Sequence, residues 1–250
     1  MLRESREAPV SPDRLSIRPL FPLALGRVQL RPDPLEAATW LQTALALRGG
    51  AVSNPDPGCA WTGDLHGIGS LHRHPVFAPL IARIGRHAWA YLEATGFATD
   101  RLALHIQRSW PVVSEVGQVV GRHHHPSAHL SAVCYLNGDG RGREGCLRFY
   151  DDSPANELVP GLAVGYGGPI AADHRLHTPW FDVAPRAGLL LLFPARLEHA
   201  VLENRDPENV RVSISVDFSL SARRQGRSGA AAEYLAPHPS DWQELAPPQD

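Results

Sequence analysis

Residues 188–199 read GLLLLFPARLEH, and residues 211–216 read RVSISV. These two runs decide the fold class. The first is an unbroken apolar stretch, Leu189 to Phe193, bounded by Gly188 and Pro194. That is the pattern of a strand buried on both faces, followed by a turn that delivers His199. The second run alternates. Successive strand residues point to opposite faces, so Arg211, Ser213 and Ser215 share one side while Val212, Ile214 and Val216 share the other. The apolar side belongs in a core. The other side either meets water or aims a guanidinium and hydroxyls into a site. A guanidinium aimed inward can hold a carboxylate through two parallel charge-assisted hydrogen bonds.

Working outward, the chain after residue 100 has the texture of short β-runs separated by turns. The pattern predicts strands over 102–110, 116–123, 128–137, 145–150, 181–184, 188–193 and 210–219, with Asn137-Gly-Asp-Gly as a strong turn signal. Strands in this order with no helices between them predict a mainly β domain, an antiparallel sandwich or small barrel. The segment 151–180 is rich in Gly, Pro and Asp and reads as a long loop. Upstream the texture is helical. Asp33 can cap a helix that has Pro34 in its first position, Glu36 completes a capping box, and Gly49-Gly50 ends the run. A second helix is predicted over about 75–95, with Phe77, Ile81, Ile84, Ala88, Tyr91 and Leu92 as its apolar stripe. Residues 1–14 read as a flexible leader, 15–220 as one domain carrying these helices at its N-terminal side, and 221–250 as a tail.

Composition excludes several function classes. The chain has 250 residues, 43% of them hydrophobic, and a formal net charge of −2. A dedicated nucleic-acid binder would carry a basic excess. No apolar run approaches the ~18 residues of a membrane-spanning helix, and the polar N-terminus has no secretory signal. Cys59, Cys134 and Cys146 lie far apart with no CxxC spacing, which favours a reducing compartment and predicts a cytoplasmic protein.

The chemistry lies in the histidines. His123-His124-His125-Pro126 enters a predicted strand, so His123 and His125 share a face and His124 points the other way. Two imidazoles so placed can bind one metal ion, although imidazole alone does not choose between iron, zinc, copper and nickel. His199 offers a third ligand. His174, Asp173, Asp151 and Asp217 are rival ligands. His129 shares parity with His125 and is a pocket candidate together with Ser131 and Trp110. Core packing is the competing role for Trp110 and His105. His66, His72 and His74 are expected to face solvent, and Trp61, Trp180 and Phe181 to act as packed anchors, with substrate contact as their alternative role.

These motifs, in this order, resemble the 2-oxoglutarate/Fe(II)-dependent oxygenases, and in particular a bacterial branch of the prolyl-hydroxylase-like superfamily. The resemblance rests on Leu20-Phe-Pro22, Ser53-Asn54, Ser109-Trp110, His123-His-His-Pro126, Leu130-Ser131, Tyr135, Leu192-Phe-Pro-Ala-Arg-Leu-Glu-His199 and Arg211-Val-Ser-Ile-Ser215. It implies a double-stranded β-helix, a cupin-like jelly-roll. It also implies iron held by His123, His199 and, where the wider superfamily has a carboxylate, His125. Arg211 with Ser213 and Tyr135 would bind the distal carboxylate of 2-oxoglutarate. Pro111 and Ala132 depart from the branch pattern. The implied reaction consumes 2-oxoglutarate and O2, releases succinate and CO2, and hydroxylates an unactivated C–H bond of a small-molecule or amino-acid-like substrate. No nucleic-acid or membrane partner is expected, and a homodimer is possible. The rival expectations are a three-histidine cupin-type dioxygenase without a cosubstrate and a non-enzymatic jelly-roll binding module.

Overall fold

The structure is a computed structural model that describes residue 15 and residues 22–50, 56–151, 156, 158, 170, 174, 176–223 and 235–245. The leader 1–14, the Leu20-Phe21 and Ser53-Asn54 motif residues, Asp173, most of the 151–180 loop and much of the tail lie outside the described residues.

Among the described residues, ten strands form two antiparallel sheets. In chain order they are β1 (Gly26–Gln29), β2 (Trp61–Thr62), β3 (Leu102–Ser114), β4 (Val120–His123), β5 (Leu130–Tyr135), β6 (Leu147–Tyr150), β7 (Trp180–Val183), β8 (Leu189–Pro194), β9 (His199–Val201) and β10 (Arg211–Ala222). The six-stranded sheet runs β1-β8-β5-β10-β3-β2 and the four-stranded sheet β4-β9-β6-β7. This is the double-stranded β-helix that the resemblance implied. All seven predicted strands exist. Strands β8 and β10, which flank β5 in the large sheet, are buried along almost their whole length, as the apolar run and the double-sided pattern require.

Helices α1 (Pro34–Gly49) and α2 (Ala78–Ala94) cover the outer face of the large sheet. Trp40, Ala44, Leu80, Ile81 and Ile84 pack there against Leu190, Leu192, Val212, Ile214 and Val216. Even-numbered β10 residues thus face the helices, as alternation dictates. The inner face meets the small sheet through Val133, Tyr135, Leu191, Phe193, Leu147, Phe149 and Val201. Odd-numbered β10 residues face that interior.

Some details correct the sequence reading. Asp33 caps α1, accepting from the Leu35 amide at 2.9 Å. Glu36, however, reaches across to Arg83 at 2.7 Å instead of closing a capping box. Helix α2 begins at Ala78, because Pro75–Phe77 form a separate 3₁₀ turn that His74 caps through the Val76 amide. His66 and His72 are half-buried, bonded to the Thr62 carbonyl and the Ser109 hydroxyl. Trp61 is a buried anchor, but Trp180 and Phe181 are exposed on edge strand β7, where the Arg148 guanidinium covers Trp180. In the tail, Leu235 packs against Leu92, Leu102 and Leu220, and His238 meets His105 edge-on.

Candidate metal centre and cosubstrate pocket

Strands β4 and β9 pair antiparallel with His123 directly opposite His199. A directly opposed pair projects its side chains to the same face. His125 lies just beyond β4, where its amide bonds to the Ala195 carbonyl at 2.9 Å. The three rings converge, with centroids 4.3 Å apart for His123–His199, 5.1 Å for His125–His199 and 5.2 Å for His123–His125. One nitrogen from each lies within 4.8 Å of the other two, and among the described residues no other cluster of His, Cys, Asp or Glu converges in this way.

Hydrogen bonding decides which nitrogen each ring presents. Nδ1 of His123 lies 2.7 Å from the Gly121 carbonyl, and Nδ1 of His199 lies 2.7 Å from the Leu197 carbonyl. A carbonyl only accepts, so both Nδ1 atoms carry the proton and both Nε2 lone pairs are free. His125 follows the same rule with a different acceptor, because its Nδ1 is 2.6 Å from Oδ1 of Asp217. Burial pulls His199 down to about 3, with the charge of neighbouring His123 acting the same way. Burial lowers His123 as well. Neutral imidazole is the ligand form, so this donor set fits a divalent transition-metal ion.

The rival ligands separate clearly. Asp217 backs His125. His174 is exposed beside His177, and neither it nor Asp151 joins the cluster. His124 points away to Glu198 at 2.7 Å, as parity predicted. Among the pocket candidates, Trp110 does reach the site, its ring 5.6 Å from that of His125. Ser131 is buried behind His125, donating to Asp217 at 2.7 Å. His129 is exposed and accepts from the Leu220 amide, making no ring contact with the cluster. Sequence reasoning missed Arg108, whose Nε donates to Oδ2 of Asp217 at 2.8 Å and whose guanidinium lies over Trp110 at 4.9 Å. Nothing in the residues around Arg108 marks it, since only the sheet register brings it there.

A second polar cluster is buried on the same inner face of β10. Arg211 is 1% exposed, yet among the described residues it has no carboxylate partner. Its Nη1 donates to the Ser213 hydroxyl at 3.2 Å, its guanidinium lies 5.0 Å from the Tyr135 ring centroid, and its Nε is buried with no hydrogen-bond partner. The fully buried Tyr135 hydroxyl is likewise unpartnered. Burial pushes this phenol up, and the nearby Arg211 charge pulls against that. The register explains the grouping, because Tyr135 on β5 is the direct partner of Ser213 on β10. Buried polar groups in native proteins are normally satisfied. A buried cation and a hydroxyl left open together form a cradle for an anion with several acceptor oxygens, which fits a carboxylate.

Three inward imidazoles and a buried arginine cradle inside a double-stranded β-helix define the class of non-haem iron oxygenases. A family model described as "Putative 2OG-Fe(II) oxygenase" matches residues 108–217, which span both features. Solved structures share the fold. The non-heme alpha-ketoglutarate-dependent epimerase SnoN from nogalamycin biosynthesis is 18% identical, with 91% of each chain covered and a TM-score of 0.53. The carbocyclase SnoK from the same biosynthesis is 14% identical over 86% of this chain and 87% of that one, with a TM-score of 0.54. A Pseudomonas putida prolyl-4-hydroxylase is 17% identical over 82% of this chain and 94% of its own, with a TM-score of 0.50. No curated protein matches the sequence. No helix among the described residues is long and apolar enough to cross a membrane.

Proposed function

We propose that the chain is a dioxygenase that uses Fe(II), O2 and 2-oxoglutarate to hydroxylate a C–H bond of a small-molecule or amino-acid-like substrate. The balance is one 2-oxoglutarate, one O2 and one C–H in, and one succinate, one CO2 and one C–OH out. In this reading His123, His125 and His199 hold the iron through Nε2. Arg211, Ser213 and Tyr135 hold the distal carboxylate of 2-oxoglutarate. The bound iron would supply the activation of O2 that the side chains alone cannot perform.

The chain's own residues prepare the rest. The Gly121 and Leu197 carbonyls fix the tautomers of His123 and His199. Phe193 and Phe149, with ring centroids 5.1 and 6.2 Å from that of His199, keep water from its flank. Trp110 borders the site beside His125 and is the substrate-facing candidate. SnoN and SnoK are by name an epimerase and a carbocyclase of a natural-product pathway, and another neighbour is a prolyl hydroxylase. Those names favour a small or amino-acid-like substrate over a nucleic acid, in keeping with the net charge of −2.

The observation that carries the reading is the pair of buried, unsatisfied atoms, Arg211 Nε and the Tyr135 hydroxyl. A three-histidine dioxygenase without a cosubstrate would account for His125 but has no use for that cradle. The test loads metal-free protein with Fe(II) under anaerobic conditions, adds 2-oxoglutarate and then O2, and quantifies succinate. Succinate formation, even uncoupled from substrate, is the expected result. Oxygenation of a substrate with no 2-oxoglutarate consumed would hand the site to the cosubstrate-free reading. Absence of both reactions, with small-acid binding intact in metal-free protein, would leave a binding module.

A further inference from the structure

We propose that Asp217 is the carboxylate of this iron centre held one hydrogen bond back from the metal, a positioning residue that acts through His125. The inference rests on the iron reading given above. A site built from three neutral imidazoles offers a divalent ion no negative charge. Yet a negative charge lies directly behind one of them. Asp217 is fully buried, and its Oδ1 accepts from His125 Nδ1 at 2.6 Å and from the Ser131 hydroxyl at 2.7 Å. The other two imidazoles donate only to neutral backbone carbonyls. Of the three, His125 is the one that hydrogen-bonds a carboxylate.

The sheet is built to keep that anion in place. On β10, Asp217 is the direct cross-strand partner of Ser131 on β5 and of Arg108 on β3. Each neighbouring strand therefore contributes one donor, Ser131 to Oδ1 and Arg108 Nε to Oδ2 at 2.8 Å. The β10–β3 register shifts immediately after Asp217, and such irregularities re-aim a side chain next to a site. Arg108 does not cancel the charge outright, because it is shared with Asp64 at 3.6 Å. A carboxylate that accepts the far N–H of a metal-bound imidazole fixes the ring's orientation and raises its basicity as a ligand. The geometry therefore gives His125 the strongest donor nitrogen of the three.

The test is a cycle on metal affinity. Fe(II) binding is measured anaerobically by chelator competition in wild type, Asp217→Asn, His125→Asp and the double variant, with the visible spectrum of the Co(II) form recorded for each. Thermal melts confirm folding. Asp217→Asn should weaken Fe(II) binding about 10–100-fold and shift the Co(II) bands. His125→Asp alone sets two carboxylates against each other and also binds weakly. The double variant again carries one anion, now at the metal itself, and should bind more tightly than either single variant. A purely structural Asp217 would make the double variant the weakest of the set, which would overturn the proposal. So would an Asp217→Asn protein that binds Fe(II) within about twofold of wild type. If Asp217→Asn does not fold, Asp217→Glu supplies the test: it moves the carboxylate by one methylene against His125, so the Fe(II) affinity and the Co(II) bands should both shift, and a folded variant with both unchanged would overturn the proposal. A wild-type protein that binds no Fe(II) sinks the iron reading itself, whereas wild-type binding unaffected by Asp217→Asn sinks this inference alone.

Discussion

At the scale of single residues, the molecule concentrates its unfavourable electrostatics where it needs chemistry. Arg211 is a cation almost wholly removed from water with no carboxylate beside it among the described residues. Leaving a buried charge uncompensated is among the more expensive things a fold can do, and the proposed dicarboxylate would offset that expense on binding. Two opposed effects follow. Arg211→Met keeps the length and removes the charge, so the ligand-free variant should be more stable than wild type by about 1 kcal/mol or more. Wild type should gain about 2.7 kcal/mol when 2-oxoglutarate is present at 100 times its dissociation constant, and the variant should gain nothing. Denaturant titrations with and without 2-oxoglutarate check both, and a variant less stable than wild type in both conditions would contradict the account. His123, His199 and Arg211 were legible because strand parity and the turn at Pro194 are local signals. Parity also set Asp217 on the same face as Arg211, but nothing in the sequence joined it to His125, since that contact depends on how β10 registers with β5 and on where the chain turns after β4.

At the scale of elements, what was legible followed the length of the periodic signal. The two helices and seven strands of four residues or more were predicted, because a run of several alternating or apolar residues fits one backbone period and excludes the rest. Strands β2 and β9 are only 2 and 3 residues long, and their partners lie far away in the chain, so no local pattern announces them. The glycine-rich stretch after β5 shows how such short strands are positioned. Gly145, at φ +90°, sits so close to the exit of β9 that an added Cβ would fall 2.2 Å from the Leu202 carbonyl oxygen. That approach sets β6 against β9 in the register that places Phe149 opposite His199. Gly145→Ala therefore meets both a disfavoured backbone conformation, worth roughly 1–3 kcal/mol, and a clash with rigid backbone. Equilibrium unfolding should show a loss of about 3 kcal/mol or more together with weaker Fe(II) binding. A variant as stable as wild type would mean that the small sheet yields more easily than its register suggests.

At the scale of the whole molecule, the two sheets bring three imidazoles into one interior where they repel each other once protonated. His199 titrates at about 3 in the folded chain and at an ordinary 6.5 when exposed. The sign follows from proton counting. Below about pH 6.5 the unfolded chain takes up a proton on this residue and the metal-free folded chain does not, so acid favours unfolding until the pH nears 3. At pH 5 this residue alone should lower stability by about 2 kcal/mol. The groups facing it act in different directions. Protonation of His123 or His125 would oppose a charge on His199, while Asp217 behind His125 partly compensates it. The metal-free protein should therefore lose stability steadily between pH 7 and pH 5, and His199→Gln, which carries no titrating ring, should show a shallower loss. Divalent metal competes with protons for the same Nε2 lone pairs, so the loaded protein should hold its stability to lower pH until the ion is displaced. Melting temperatures of the metal-free, metal-loaded and His199→Gln proteins at matched ionic strength between pH 5 and pH 8 check the argument. If the metal-free wild type and His199→Gln lose stability with the same slope, the acid sensitivity arises elsewhere in the fold.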